Sequence, residues 1–215
     1  MHATTVGWRL AVAVSVLCGA QSALAGTTLI ETPGPFDDSD PWPIGIHNAV
    51  LARVDVGGDD VAIRRISVHG RVDAALNMKW VVFEGTYDGP GPVFQTAPTA
   101  FGPSGSDFQW FDSPVFSPFV LSANTTYWIG PAIDGADYVF RQTFNKPGTP
   151  VSANGLTLPA GDNGITTGSF AAPTLNAEAG ITQSIVSLAI PEPSTFTLAA
   201  LGLLGFSALG WWRRR

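Results

Sequence analysis

The chain has 215 residues, a formal net charge of −6, 24 glycines, 17 prolines and a single cysteine. That length suits one domain with a real core, and an acidic surface disfavours nucleic acid and anionic lipid as partners. Charge is sparse, at 13% of residues, and Gly and Pro are scattered without a fixed period, which argues against a repeat solenoid.

Arg9 precedes an apolar stretch from Leu10 to Leu17, and Ala23-Leu24-Ala25 puts small residues at the two positions a signal peptidase inspects. The stretch is too short to span a membrane. Residues 1–25 therefore read as a secretory signal, cut by signal peptidase after Ala25. Cys18 offers a lipoprotein alternative, but Leu17 stands where a small residue normally precedes a lipidated cysteine. Cleavage after Ala25 removes the only cysteine, and with it structural disulfides, cysteine-ligated zinc and a cysteine nucleophile.

Residues 26–190 are the expected body. They hold every acid except Glu192 and exclude the bases Arg9 and Arg213–Arg215, so this segment is more negative than the whole chain. Such a surface keeps an exported protein soluble and can collect divalent cations. Asp37-Asp38-Ser39-Asp40 and Gly57-Gly58-Asp59-Asp60 are the densest carboxylate clusters. Calcium accepts several oxygen ligands in irregular geometry, which makes Asp37, Asp38 and Asp40 candidate ligands for a weakly held ion. Neither cluster has the alternation and terminal glutamate of an EF-hand loop, and aspartates in solvated turns are the simpler account. No other cofactor is expected.

The patterning along the body is that of strands. Ile66, Val68 and Val72 alternate with Ser67, His69 and Arg71, which puts His69 on the polar phase as a surface residue, like His47. Leu76, Met78, Trp80 and Val82 alternate with Asn77, Lys79, Val81 and Phe83, a strand buried on one face and partly covered on the other. Further short runs rich in β-branched and aromatic residues lie at 50–56, 108–111, 119–121, 125–130, 138–144 and 185–189. Turn formers separate them: Gly57–Asp60, Asp88–Pro92, Pro103-Ser104-Gly105, Asp134-Gly135 and Asn145–Gly148. The segments 84–107 and 149–179 show no firm pattern. Many short strands with turns between them predict an all-β fold, a jelly roll or related antiparallel β-sandwich.

Of the four tryptophans in the body, Trp80 and Trp128 lie inside alternating strands and belong to the core. Trp42 and Trp110 lie nearer loops and are the candidate carbohydrate contacts, since a pyranose C–H face packs on an aromatic ring. Core or rim packing is the plainer role for both. Ser104 lacks the Gly-x-Ser-x-Gly setting of a hydrolase nucleophile. Glutamate is scarce, so a glycosidase carboxylate pair would draw on Glu31, Glu84 and Glu178.

The run Leu121–Gly130 resembles a hairpin common in secreted bacterial jelly-roll modules. In those modules the strand before it often ends in phenylalanine, as Phe116 and Phe119 do here, and a segment like Met78–Phe83 is its partner strand.

Pro191-Glu192-Pro193-Ser194 then leads into an uncharged run from Thr195 to Trp212, followed by Arg213-Arg214-Arg215. The prolines stop any helix entering from the body. Residues 195–212, at a rise of about 1.5 Å each, reach about 27 Å, near the ~30 Å of bilayer hydrocarbon. Trp211 and Trp212 suit the interface, and the arginines suit the cytoplasmic side. Residues 191–215 resemble the PEP-CTERM sorting domain of Gram-negative, often biofilm-forming bacteria. The resemblance implies recognition of Pro191, Glu192 and Pro193 by an exosortase, a membrane-embedded transpeptidase-like enzyme. It further implies anchoring in the inner membrane before processing, then transfer to the outer envelope or extracellular matrix. The expected role is structural or adhesive, non-enzymatic and set within exopolysaccharide. A polysaccharide-binding module acting through Trp42 or Trp110 is the main rival, and a secreted hydrolase the third reading.

Overall fold

A computed structural model of the chain describes residues 26–33, 37–44, 49–85, 91–134, 139–145, 148–179, 183–184 and 186–191, excluding the side chains at 37–44, 145, 162–163, 167–168, 177–179, 183–184 and 191. The expected secretory signal with Ala23 and Ala25, Glu192, Pro193, the span 195–212 and Arg213–Arg215 lie outside the described residues.

Among the described residues every regular element is a strand, and no helix is long and apolar enough to cross a membrane. The first third of the body supplies β1 (Gly26–Glu31), β2 (Asp37–Ile44), β3 (Val50–Val56), β4 (Val61–Ile63), β5 (Arg65–Val72) and β6 (Leu76–Glu84). Next come β7 (Phe94–Gln95), β8 (Thr99–Phe101), β9 (Gln109–Asp112), β10 (Phe119–Leu121) and β11 (Thr126–Asp134). The rest is β12 (Phe140–Asn145), β13 (Val151–Ala153), β14 (Leu156–Leu158), β15 (Asp162–Gly168), β16 (Pro173–Ala179), β17 (Gln183–Ser184) and β18 (Val186–Pro191).

The described pairings are all antiparallel. One sheet runs β1-β18-β5-β12-β17, with β2 beside β12 and β9 beside β5. The other runs β13-β14-β3-β11-β6-β7, with β8 on β6 and the β15–β16 hairpin on β3; β4 and β10 form a separate pair. From β3 through β5, β6, β9, β11, β12, β14 and β18, each of these strands lies in the opposite sheet from the one before. These strands therefore alternate between two sheets that face each other across a core, a β-sandwich, whereas β6–β8 and β13–β16 each stay within one sheet.

Alternation explains that core. Ile66, Val68 and Val72 of β5 and Met78, Trp80 and Val82 of β6 are all fully buried and share one cluster with Val54, Ile129 and Phe140. The predicted partnership of Met78–Phe83 with the 125–130 run is present, from Trp128 opposite Phe83 to Ile133 opposite Met78. Gln142 joins the two sheets at one point. Its side-chain amide accepts from Val50 N at 3.3 Å and donates to Val50 O at 3.0 Å.

The opposite face of β6 is covered more fully than its pattern predicts. Val81, Phe83, Leu51, Trp128, Ala132 and Leu175 form a second buried cluster, with Phe170 against it. Burying each large side chain is worth about 1.5–3 kcal/mol, so packing as well as pairing holds the β15–β16 hairpin in place. Lys79 sits at its margin, only 4% exposed. Its Nζ donates to Gln95 Oε1 at 2.8 Å and lies 4.8 Å from the Phe170 ring centroid.

Candidate functional site

Strand β5 turns its apolar residues into the core, so Arg65, Ser67, His69, Arg71 and, just past its end, Asp73 follow one another on the outer face. Registry adds neighbours on both sides. Trp110 of β9 stands opposite His69 and Asp112 opposite Ser67, while Arg141 of β12 stands opposite Arg71. Gly70 makes this close approach of β12 feasible: a Cβ there would lie 2.6 Å from Arg141 O and 2.6 Å from Phe140 Cζ. A side chain at Gly70 would hold the two strands apart.

Charge on this face is organised around Asp73. Arg71 Nε donates to Asp73 Oδ1 at 2.7 Å and Arg141 Nε to Oδ2 at 2.6 Å. Two arginines directly opposite one another would repel, and the shared carboxylate offsets that repulsion. Burial raises the Asp73 pKa, but the hydrogen bonds and charges of Arg141 and Arg71 outweigh it and hold the carboxyl below its ordinary value. At the other end, Asp112 accepts from Ser67 Oγ at 2.7 Å, with Arg65 Nη1 3.8 Å away.

Aromatic rings fill the middle. The Arg71 guanidinium carbon lies 5.2 Å from the Phe108 ring centroid, Phe108 stacks on His69 at 6.4 Å, and Trp110 meets His69 edge-on at 5.2 Å. His69 is only 8% exposed, against the surface position that its polar phase predicts. The two rings contributed by the neighbouring segment cover it. Thr143 Oγ1 donates to the His69 carbonyl at 3.3 Å and so can accept from Nδ1–H at 2.7 Å. Trp110 lies in β9, within the 108–111 run expected as a strand, and is half-buried. Arg71 and Arg141 thus meet at Asp73 beside Phe108, on the face that also carries Trp110, and the spacing of the sequence gives no signal of Arg141 joining Arg71.

Other candidate residues lie apart. Asp37, Asp38, Asp40 and Trp42 are in β2, whose backbone pairs with β12, with Trp42 opposite Gln142 and Asp37 opposite Phe144; their side chains lie outside the described residues. No group of three or more His, Cys, Asp or Glu suited to a metal ion occurs among the described residues. Asp60, in the second acidic turn, accepts from Ala123 N at 2.8 Å and clasps the turn before β11. Ser104 Oγ accepts from Val72 N at 3.0 Å, pinning its loop to β5. Glu84 is exposed at the end of β6, and Glu178 lies on β16.

β18 runs from Val186 to Pro191 between β1 and β5, and residues 189–215 match the PEP-CTERM protein-sorting motif. The chain carries a PEP-CTERM sorting motif. That motif implies an exported protein, anchored in the membrane and then processed, with exosortase as the processing partner. It starts inside the sandwich, since Ala189, Ile190 and Pro191 pair with Thr28, Thr27 and Gly26 of β1. No curated protein and no solved structure matches the chain.

Proposed function

We propose that this PEP-CTERM protein is a non-enzymatic component of the extracellular matrix, whose sandwich is carried through the inner membrane and left among exopolysaccharide after exosortase acts. The observation that carries the proposal is the sorting motif at residues 189–215. Signal peptidase acting after Ala25 and insertion of residues 195–212 with Arg213–Arg215 inside are parts of the same reading. The disposition of polar side chains supports a structural role: Gln142, Ser104, Thr143 and Asp60 all spend their hydrogen bonds on joining strands and turns. Alternate crossing between the sheets supports a jelly-roll class of sandwich.

Adhesion through the outer face of β5, β9 and β12 is the favoured mode, because that face gathers Trp110 and Phe108 beside hydrogen-bonding charges. Polysaccharide binding by Trp110 is then part of matrix adhesion and not a separate activity. The test is fractionation of the native host with and without its exosortase. The parent strain should yield a shorter form that sediments with the exopolysaccharide, and the deletion strain a full-length form in the inner membrane. A released form that stays free of the polymer would contradict the matrix role.

A further inference from the structure

We infer that the Arg71–Asp73–Arg141 group is a binding site for the carboxylate of an acidic polysaccharide, a polyuronate, with Phe108 and Trp110 flanking the sugar. The inference rests on the adhesive reading of this face and names the class of polymer. Its basis is an imbalance of charge. Two guanidinium groups share one carboxylate, and both reach it through Nε. The Nη atoms of Arg71 and Arg141 are not spent in that pair, and each terminal fork matches the two oxygens of a carboxylate. Asp73 pins both stems, so the forks are held in place before a ligand arrives, which reduces the entropy lost on binding.

The surroundings sharpen the choice of ligand. The body is strongly acidic as a whole, so an anionic polymer would be repelled by most of its surface and attracted where cations gather. Arg65, Arg71 and Arg141 all lie on this one sheet face. The arginine side chains of the pair are 24% and 36% exposed, within reach of solvent. Phe108, already stacked under Arg71, sets an aromatic ring next to the anion site. An inorganic anion would use the charge alone, whereas a uronate offers a carboxylate for the forks and a C–H face for the ring.

The test is binding of the detergent-solubilised full-length chain to polygalacturonate, to its fully methyl-esterified form and to neutral dextran. Polygalacturonate should bind best, esterification should weaken binding roughly tenfold or more, and added salt should weaken it further. Arg141→Gln should cause a similar loss, and Arg141→Lys, which keeps the charge and loses the fork, a smaller one. A single cooperative thermal transition in each variant, even at a slightly lower Tm, shows that the sandwich is intact. Equal binding of the free and esterified polymers would overturn the carboxylate site and leave sugar adhesion standing. Binding to none of the three would overturn both. Polygalacturonate binding unaffected by either Arg141 variant would mean that the anion lodges elsewhere.

Discussion

Gly26 stands opposite Pro191, so the first residue after the expected signal cleavage pairs with the first proline of the Pro-Glu-Pro triplet. Strand β18 is a structural member of the sandwich up to that point. Val186 and Leu188 are buried in the core, and the strand pairs with β5 on one side and β1 on the other. A proline is tolerated there because it ends the strand and its missing N–H costs no interior ladder bond.

That pairing restricts where processing can fall. A cut upstream of residue 186 would strip β18 from the sheet and uncover the core beside β5. The released form should therefore keep all of β18, with its C-terminus at Pro191 or later. Mass spectrometry of the released protein checks this. A folded product ending before Val186 would contradict it.

The tie between sheets at Gln142 gives a stability prediction. Replacing Gln142 with Ala leaves Val50 N–H and C=O buried without their side-chain partner, at about 1–3 kcal/mol for each unsatisfied group. Chemical denaturation should show a loss of roughly 2–6 kcal/mol. A loss well under 1 kcal/mol would mean that the sheets are held by apolar packing alone at this point.

Two glycines provide a contrast. Gly70→Ala would force a Cβ against backbone Arg141 O at 2.6 Å, with Phe140 equally close, whereas nothing lies within 4 Å of a Cβ at Gly58. The first change should cost about 1–3 kcal/mol or more through overpacking, the second should stay within about 0.5 kcal/mol. Thermal melts of the two variants decide it, and equal effects would argue against the close β5–β12 approach.

Asp73 predicts a pH effect. Its carboxyl is held below the ordinary 3.8, so the folded chain binds fewer protons there than the unfolded chain. The stabilising contribution is complete above the unfolded value and is lost as pH falls towards the lower native one. Asp73→Asn should flatten the acid limb of a plot of Tm against pH below about pH 4. Lys79 gives the opposite limb. Desolvation lowers its pKa from 10.5, so stability should rise with pH towards that value, and Lys79→Met should remove the rise. An acid limb unchanged in Asp73→Asn, or an alkaline rise that survives Lys79→Met, would contradict these assignments.

Strands with strong alternation are legible in the sequence. The 50–56 and 119–121 runs became β3 and β10 with the same bounds, and Leu76–Val82 supplied the inner face of β6. Segment 149–179 was opaque because its first strands are only three residues long, too short for a period to register. Its best signal is the dipeptide Asn154-Gly155, both residues at positive φ, which is the pattern of a tight hairpin turn. The buried state of His69 was hidden for a different reason. Polar phase marks the outer face of a strand, but whether that face meets solvent depends on Phe108 and Trp110, distant in sequence. Arg141 meeting Arg71 across Asp73 depends likewise on registry between β5 and β12, which composition does not encode.

The most direct test of the account is replacement of Pro191, Glu192 and Pro193 with alanine in the native host, followed by fractionation of the cells and medium. The account predicts that the altered chain accumulates at full length in the inner membrane while the parent is shortened and released. Release of both at the same rate and length would contradict it.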